Sequence, residues 1–290
     1  PMPYGDLVRE RVQRFASKAD LDAAACTNEE REEYEPHIAA GNVVFAGVDY
    51  ARILEAAEAE ADLVVWDGGN NDFPFVRPDL HVVVADALRP RHVATHHPGE
   101  ACVRMADVVV VNKVDAAGPA EVQRVVDAVR AINPRATVVK AASPVTLSEP
   151  ERVRGKRVLV VDDGPTLTHG GMPYGAGYVA ALGAHAAEIV DPRESATEEI
   201  AAVYAQYPHL GRVLPAVGYD DAQLAALAES IRRADADVVV SGSPFDLAAR
   251  VRIDKPVVRA RYELAEIGEP SLGGIVDAWL DRRSGKGAKP

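Results

Sequence analysis

Runs of apolar residues alternate with amphipathic stretches along most of the chain. Continuous runs of valine, isoleucine and leucine, such as 107–111 and 157–161, are typical of strands buried on both faces of a parallel sheet. Polar residues that cap helices, such as Thr27 and Asp49, stand before helical patterns between these runs. The predicted strands are 42–46, 62–66, 80–85, 107–111, 136–140, 157–161, 187–190, 237–241 and 256–260. This alternation predicts an α/β fold with a doubly wound, mostly parallel sheet.

Composition and charge narrow the class of protein. The chain has 290 residues, of which 26% are charged and 48% hydrophobic, as in ordinary globular proteins. A net charge of −12 argues against nucleic acid as a partner, because phosphate backbones repel such a surface. Cys26 and Cys102 form neither a disulfide framework nor a thiolate metal site. No apolar run approaches the roughly 18 residues of a membrane span. We therefore expect a cytoplasmic protein that acts on a small molecule, with a homodimer left open.

The stretch Asn112-Lys113-Val114-Asp115 directly follows the valine run 108–111. In P-loop GTPases, a buried strand that ends in N-K-x-D reads guanine. The Asp accepts two hydrogen bonds from the base, the Asn fixes the loop and the Lys stem covers the ring. Ser143 follows the next predicted strand, where a small residue's N–H would meet the base oxygen. The alternative is a chance match on a surface loop.

The phosphate-cradling pattern G-x-x-x-x-G-K-[ST] does not occur in the chain, which starts at Pro1. One interpretation is that the first strand, phosphate loop and first helix lie upstream. The chain would then be inactive alone. The other interpretation is a relative that has lost nucleotide chemistry.

Two further strand ends carry candidate chemistry. Asp67 follows the predicted strand 62–66, where P-loop proteins place an Asp that supports Mg²⁺. An ordinary turn explains Asp67-Gly68-Gly69 as well. Arg89 and Arg91 follow the next strand, and their guanidinium groups match the geometry of phosphate or carboxylate. A solvated loop is the alternative for them.

Two glycine-containing loops follow strands in the second half of the chain. The first, 162–177, is rich in Gly and hydroxyl residues and precedes a predicted helix, as in anion-binding loops. Its candidate residues for binding or catalysis are Thr168, His169, Gly170 and Gly171. The second, Ser241-Gly242-Ser243-Pro244, fits a phosphate contact and fits a helix N-cap with a turn equally well.

A charged stretch at 148–156 separates the two groups of elements. We predict a P-loop NTPase-like nucleotide-binding region over 1–150 and a second, smaller α/β domain over 151–283. The Gly/Lys-rich tail 284–290 is predicted to be disordered.

Taken together, these motifs resemble the cyclic 2,3-diphosphoglycerate synthetase family. The resemblance covers nearly the whole chain, as the portion that follows the phosphate loop. It rests on Met2-Pro3-Tyr4-Gly5, Trp66-Asp67-Gly68-Gly69-Asn70-Asn71-Asp72, Asn112-Lys113-Val114-Asp115 and Thr166-Leu167-Thr168-His169-Gly170-Gly171-Met172-Pro173-Tyr174-Gly175.

The resemblance implies a nucleotide-dependent ligase that closes an intramolecular phosphoanhydride in 2,3-diphosphoglycerate with ATP and Mg²⁺. Because N-K-V-D favours guanine, ATP and GTP both remain candidate co-substrates. Asp67 would support Mg²⁺ and take part in catalysis, and His169 would act at the reacting groups. Asn112, Lys113, Asp115 and Ser143 would hold the base, and Arg89, Arg91, Thr168, Gly170 and Gly171 the anionic substrate. The alternatives are a regulatory or chaperone-type GTPase and a non-catalytic nucleotide-binding module.

Overall fold

The chain forms two compact units. The computed structural model describes residues 6–68, 73–168, 170–216, 221–243 and 247–285. Unit 1 comprises Pro1–Leu63 and Val145–Arg261, and unit 2 comprises Val64–Pro144 and Tyr262–Pro290. Each unit combines helices with a predominantly parallel sheet, which confirms the predicted α/β class.

The regular elements of the described residues are as follows. The strands are β1 (Gln13–Phe15), β2 (Val44–Ala46), β3 (Val82–Asp86), β4 (Val108–Asn112), β5 (Thr137–Ala142), β6 (Val145–Leu147), β7 (Arg157–Asp163), β8 (Glu188–Ile189), β9 (Leu214–Ala216), β10 (Val238–Ser241), β11 (Val257–Tyr262) and β12 (Ala265–Glu266). The α-helices are α1 (Lys18–Ala23), α2 (Asn28–Ala39), α3 (Tyr50–Glu58), α4 (His92–Thr95), α5 (Gly99–Met105), α6 (Pro119–Ile132), α7 (Gly164–Thr168), α8 (Ala176–Gly183), α9 (Glu198–Gln206), α10 (Asp221–Arg233), α11 (Leu247–Arg250) and α12 (Leu272–Arg283).

Unit 2 is built on a sheet with strand order β12-β5-β4-β3. Strands β3, β4 and β5 run parallel, and β12 is antiparallel to β5. Successive valines of β4 face opposite sides of the sheet. Val109 and Val111 pack in the same cluster as the buried valines of α6. Val108 and Val110 form a second cluster with Leu272 and Ile275 of α12. Helices therefore cover both faces, as in a doubly wound sheet.

Unit 1 contains a sheet with strand order β6-β11-β10-β7-β8, and β9 also pairs with β7. Strands β10, β8 and β9 are parallel to β7, and β11 is parallel to β10. The buried core includes Leu159 and Val161 of β7, Val239 of β10, and Leu227 and Ile231 of α10. The carboxyl ends of β7, β9 and β10 therefore meet at one edge of this sheet.

The N-terminal part of unit 1 follows its sequence signals. Strands β1 and β2 pair antiparallel. Thr27, which was predicted to cap a helix, forms a capping box with Glu30 at the start of α2, and Asp49 accepts a hydrogen bond from the backbone N–H of Arg52 at the start of α3. Among the described residues, no helix has the length and apolar character needed to cross a membrane.

The division of the chain differs from the predicted boundary at residue 150. The chain passes between units at residues 63/64, 144/145 and 261/262. Residues 1–63 group with the second half of the chain, whereas α12 returns to the sheet of β4 and β5 because its apolar side chains cover one face of that sheet.

The predicted strand 62–66 does not form, since residues 63–68 have no regular secondary structure. Leu63, Val64 and Val65 are exposed. Among the described residues, no strand pairs with the outer edge of β3, where Val84 is 64% exposed. The apolar pattern of residues 62–66 was therefore not sufficient to form a strand, because a strand needs a neighbour for its backbone hydrogen bonds.

Candidate nucleotide and substrate sites

The N-K-V-D stretch begins at the carboxyl edge of the unit 2 sheet. Asn112 is the last residue of β4 and lies in register with Asp86, the last residue of β3. The backbone N–H of Val114 donates to the carbonyl oxygen of Ala141 on β5, 3.1 Å away. The loop is thus anchored to both neighbouring strands at the edge where open α/β sheets bind ligands.

Lys113 has a left-handed backbone with φ 61°, which is unusual for a residue with a side chain. Its backbone N–H donates to Asn112 Oδ1 at 2.8 Å. Its Nζ lies 2.9 Å from Asp86 Oδ2, and Arg89 Nε lies 3.7 Å from the same oxygen. Sequence reasoning had not assigned a role to Asp86. The available signal was its position at the end of a strand next to the N-K-V-D strand.

Asp115 and Ser143 come together across 28 positions of the chain. Asp115 Oδ1 accepts a hydrogen bond from the backbone N–H of Ser143 at 3.1 Å. The Asp115 side chain remains on the surface. Since an ionised carboxylate has about four lone-pair sites, it can accept further bonds from a base. The geometry brings together the two loops that the sequence assigned to base binding, and their role stays a prediction.

The segment after β3 gathers cationic side chains. Arg89 is partly buried and lies near Asp86, whereas Arg91 is exposed at the start of α4. The rings of His92 and His96 stack with centroids 3.8 Å apart. Burial and the nearby positive charges of His96 and Arg89 lower the pKa of His92. Binding of an anionic substrate by Arg89 and Arg91 stays a prediction.

Asp67 is exposed and lies in an irregular segment. Residues Gly69, Asn70, Asn71 and Asp72, which the sequence placed next to it in the site, lie outside the described residues, as do His169 and Met2-Pro3-Tyr4-Gly5. No group of three or more His, Cys, Asp or Glu in the described part of the chain has an arrangement that could hold a metal. The Mg²⁺ role of Asp67 stays a prediction.

In unit 1, the glycine loop is held by a buried carboxylate. Asp162 is 0% exposed and accepts hydrogen bonds from the backbone N–H groups of Gly175, Gly177 and Tyr178 at 2.8, 2.7 and 3.3 Å. Burial raises the pKa of Asp162, and the three backbone donors oppose that effect. The amides at the start of α8, which the sequence offered to a bound anion, thus already bind a carboxylate of the protein.

The residues that the sequence assigned to substrate have local structural functions. Thr168 Oγ1 donates to the carbonyl oxygen of Gly164 at 2.9 Å. Gly170 packs so closely on the backbone of Thr166 that a Cβ would collide with it. Gly171 has φ 64°, which favours glycine. These contacts explain the residue types, and a substrate role stays a prediction.

Comparison with known proteins identifies the relatives of this chain. Residues 37–142 match the model of the P-loop domain of cyclic 2,3-diphosphoglycerate synthetase. The resemblance to the cyclic 2,3-diphosphoglycerate synthetase family is confirmed over this part of the chain. Enzymes of that name from Thermococcus gammatolerans and Methanothermobacter thermautotrophicus are 32% and 30% identical over 42% and 38% of this chain, and over 27% and 24% of their own lengths.

A longer match relates the chain to another synthetase. Arginine synthetase ArcE of Thermococcus kodakarensis is 56% identical over 279 residues, which are 96% of this chain and 62% of that protein. The chain therefore spans about three fifths of this relative. The P-loop domain of the cyclic 2,3-diphosphoglycerate synthetase family, as matched, contains Asn112-Lys113-Val114-Asp115 but ends before Ser143 and before the glycine loop of unit 1.

Proposed function

We propose that this chain is the base-binding part of a nucleotide-dependent synthetase whose product is arginine. The observation that carries the nucleotide assignment is the hydrogen bond between Asp115 and the backbone of Ser143 at the edge of the unit 2 sheet. Supporting it, the matched P-loop domain belongs to a synthetase family, and the relatives are named synthetases.

The identity of the product rests on the extent of similarity. The arginine synthetase matches 96% of the chain at 56% identity, so both units contribute to the match. The cyclic 2,3-diphosphoglycerate synthetases match at most 42% of the chain among those compared above, at 32% identity or less. The sequence resemblance had suggested 2,3-diphosphoglycerate as substrate. Because the arginine synthetase matches more of the chain at higher identity, we propose arginine synthesis in its place.

In the proposed site, Asp115 would accept hydrogen bonds from N1–H and the 2-amino group of guanine. Asn112 would hold the loop, and the stem of Lys113 would cover the ring while its Nζ is kept by Asp86. Mg²⁺, held with the help of Asp67, would neutralise charge on the phosphates. Arg89 and Arg91 would add positive charge, since phosphoryl transfer depends chiefly on positioning and charge stabilisation.

The test uses the complete reading frame that contains this chain. Arginine supplied with a nucleoside diphosphate, phosphate and Mg²⁺ should yield the triphosphate while arginine is consumed, because an enzyme catalyses both directions of its reaction. The water lost when phosphate joins the diphosphate would be taken up in the hydrolysis of arginine. The assay is run in parallel with GDP and with ADP, and the GTP or ATP that forms is measured. A parallel assay supplies 2,3-diphosphoglycerate with a triphosphate and measures release of phosphate.

The outcomes separate the candidate functions. Arginine-dependent triphosphate formation supports the proposal, and turnover only with 2,3-diphosphoglycerate favours the reaction implied by the P-loop domain match. Nucleotide hydrolysis that neither compound alters favours the GTPase switch suggested by N-K-V-D. Absence of nucleotide turnover together with intact binding favours a non-catalytic module.

A further inference from the structure

Two buried serine hydroxyls lie at the carboxyl end of β10 in unit 1. Ser241 is 1% and Ser243 2% exposed. Within the part of the chain that the structure describes, neither Oγ has a hydrogen-bond partner. A buried hydroxyl without a partner lowers folding stability, so such groups need an explanation, of which a ligand is one.

The strand register places Arg259 opposite Ser241. β10 and β11 are parallel, and Ser241 lies opposite Arg259. Residues opposite each other in a parallel pair project to the same face of the sheet, so Ser241 and Arg259 share a face, and Ser243 follows two positions on, in the loop after β10. The backbone of Arg259 is fixed by Ser148, whose N–H donates to the Arg259 carbonyl at 3.0 Å. Two donor side chains, Ser241 and Arg259, therefore lie on one face of the sheet, and a third, Ser243, lies in the loop that follows.

The opposite face of the same loop is rigidly packed. A Cβ on Gly242 would collide with Asp162 Oδ1 and with the backbone nitrogen of Gly177. The N–H of Gly242 donates to the carbonyl oxygen of Val161 at 2.8 Å. Asp162 and the start of α8 thus hold the backbone between the two serines. The hydroxyls are preorganised and need not be ordered by a ligand.

Both carboxylates at the end of β7 accept hydrogen bonds from the protein backbone: Asp162 from the start of α8, and Asp163 from the segment that begins α7. Asp163 is the last residue of β7, and its Oδ2 accepts a hydrogen bond from the backbone N–H of Thr166 at 2.9 Å. This bond turns the chain into α7 and uses one oxygen of the carboxylate. The ends of these parallel strands are where sheets of this type bind ligands.

We propose that Ser241, Ser243 and Arg259 form an oxyanion site in unit 1 that takes a carboxylate or phosphoryl group. The two hydroxyls donate to the oxyanion, and the guanidinium presents a planar pair of N–H donors that matches it. All three residues belong to unit 1, and the proposed base site in unit 2 uses none of them. Binding measurements test this site directly, so the test does not depend on synthetase activity.

The experiment measures binding by calorimetry and thermal unfolding of the whole chain. The probes are inorganic phosphate, arginine, and agmatine, which is arginine without its carboxylate. The variants are Ser241→Ala with Ser243→Ala, and Arg259→Gln. The matched control is Ser230→Ala, because the buried Ser230 hydroxyl accepts from Thr197 N–H at 3.1 Å and donates to the Ala226 carbonyl at 2.9 Å.

In the unliganded protein, the double alanine variant should keep or raise the melting temperature, since it removes two unpaired hydroxyls. For whichever of phosphate or arginine binds the wild type, the double alanine variant should weaken binding at least about tenfold. Ser230→Ala should lower the melting temperature and leave binding unchanged. Binding of arginine but not agmatine assigns the site to a carboxylate, and binding of phosphate alone assigns it to a phosphoryl group.

The proposal is overturned if neither phosphate nor arginine binds, or if they bind with equal affinity to the wild type and both variants. A double alanine variant that loses stability as Ser230→Ala does, with binding unchanged, would show that the two serines have only a structural function.

Discussion

Asp115 Oδ1 and the backbone nitrogen of Ser143 are joined by a hydrogen bond of 3.1 Å that links the loops after β4 and β5. This bond orients a surface carboxylate at the end of a buried strand. A carboxylate held in one orientation can discriminate between bases, because guanine offers it two donors and adenine offers none at the equivalent positions.

Asp115→Asn is expected to reduce the preference for guanine nucleotides by about 10- to 100-fold, since the amide presents a donor where the carboxylate only accepts. Competition among GTP, ATP and xanthosine triphosphate measures the change. Asp127→Asn is the control, because Asp127 lies on α6, where its carboxylate accepts from Gln123. Equal affinity for GTP and ATP in both wild type and Asp115→Asn would refute the base-binding assignment.

Asp86→Asn is expected to weaken nucleotide binding about threefold to tenfold while changing stability by less than about 1 kcal/mol. Asp86 holds Lys113 Nζ at 2.9 Å, and both side chains are partly exposed, so their ion pair contributes little to stability. Nucleotide titration and urea unfolding give the two quantities. The control is Glu100→Gln, which breaks the surface ion pair with Arg104 on α5. It should leave both nucleotide affinity and the free energy of unfolding nearly unchanged. A large loss of stability in Asp86→Asn would mean that the pair is structural.

Asp162→Asn is expected to destabilise unit 1 by about 1–3 kcal/mol near pH 4, because an amide cannot accept all the backbone hydrogen bonds that the carboxyl group accepts. Burial raises the pKa of Asp162 in the folded protein above that of the unfolded chain. The folded state therefore binds the proton more tightly, and stability falls as pH rises from about 4 through the folded pKa.

The stability difference between wild type and Asp162→Asn should consequently narrow as pH rises across that window. Urea unfolding of both proteins at pH values between about 4 and 7 provides the measurement. A difference that widens with pH would show that the backbone donors outweigh burial and lower the pKa of Asp162.

Gly242→Ala is expected to destabilise the protein by about 1–3 kcal/mol, since its methyl group would collide with Asp162 Oδ1 and the backbone of Gly177. Gly183→Ala is the matched control. Gly183 ends α8, and a Cβ there would meet no atom within 4 Å, so this change should be neutral or stabilising by up to about 1 kcal/mol. Thermal unfolding compares the two variants. If Gly242→Ala is as stable as Gly183→Ala, the close packing around Gly242 is not rigid.

Local patterns in the sequence determined most of the elements. The valine runs that became β4 and β7 are buried on both faces, so their continuous apolar pattern identifies them without a partner. Thr27 and Asp49 cap helices through contacts within three residues. The N-K-V-D stretch and the family resemblance were also readable from the sequence, because they consist of consecutive residues at a strand end.

Tertiary structure decided which residues from distant parts of the chain meet. The ion pair between Asp86 and Lys113 depends on the pairing of β3 with β4. The capping of α8 by Asp162 and the packing of α12 on the sheet of unit 2 likewise depend on which elements become neighbours. The exposed residues 63–65 illustrate the same limit, because apolar residues form a strand only where a neighbouring strand accepts their hydrogen bonds. Periodicity encodes what each segment prefers locally, and only packing of the whole chain selects its neighbours.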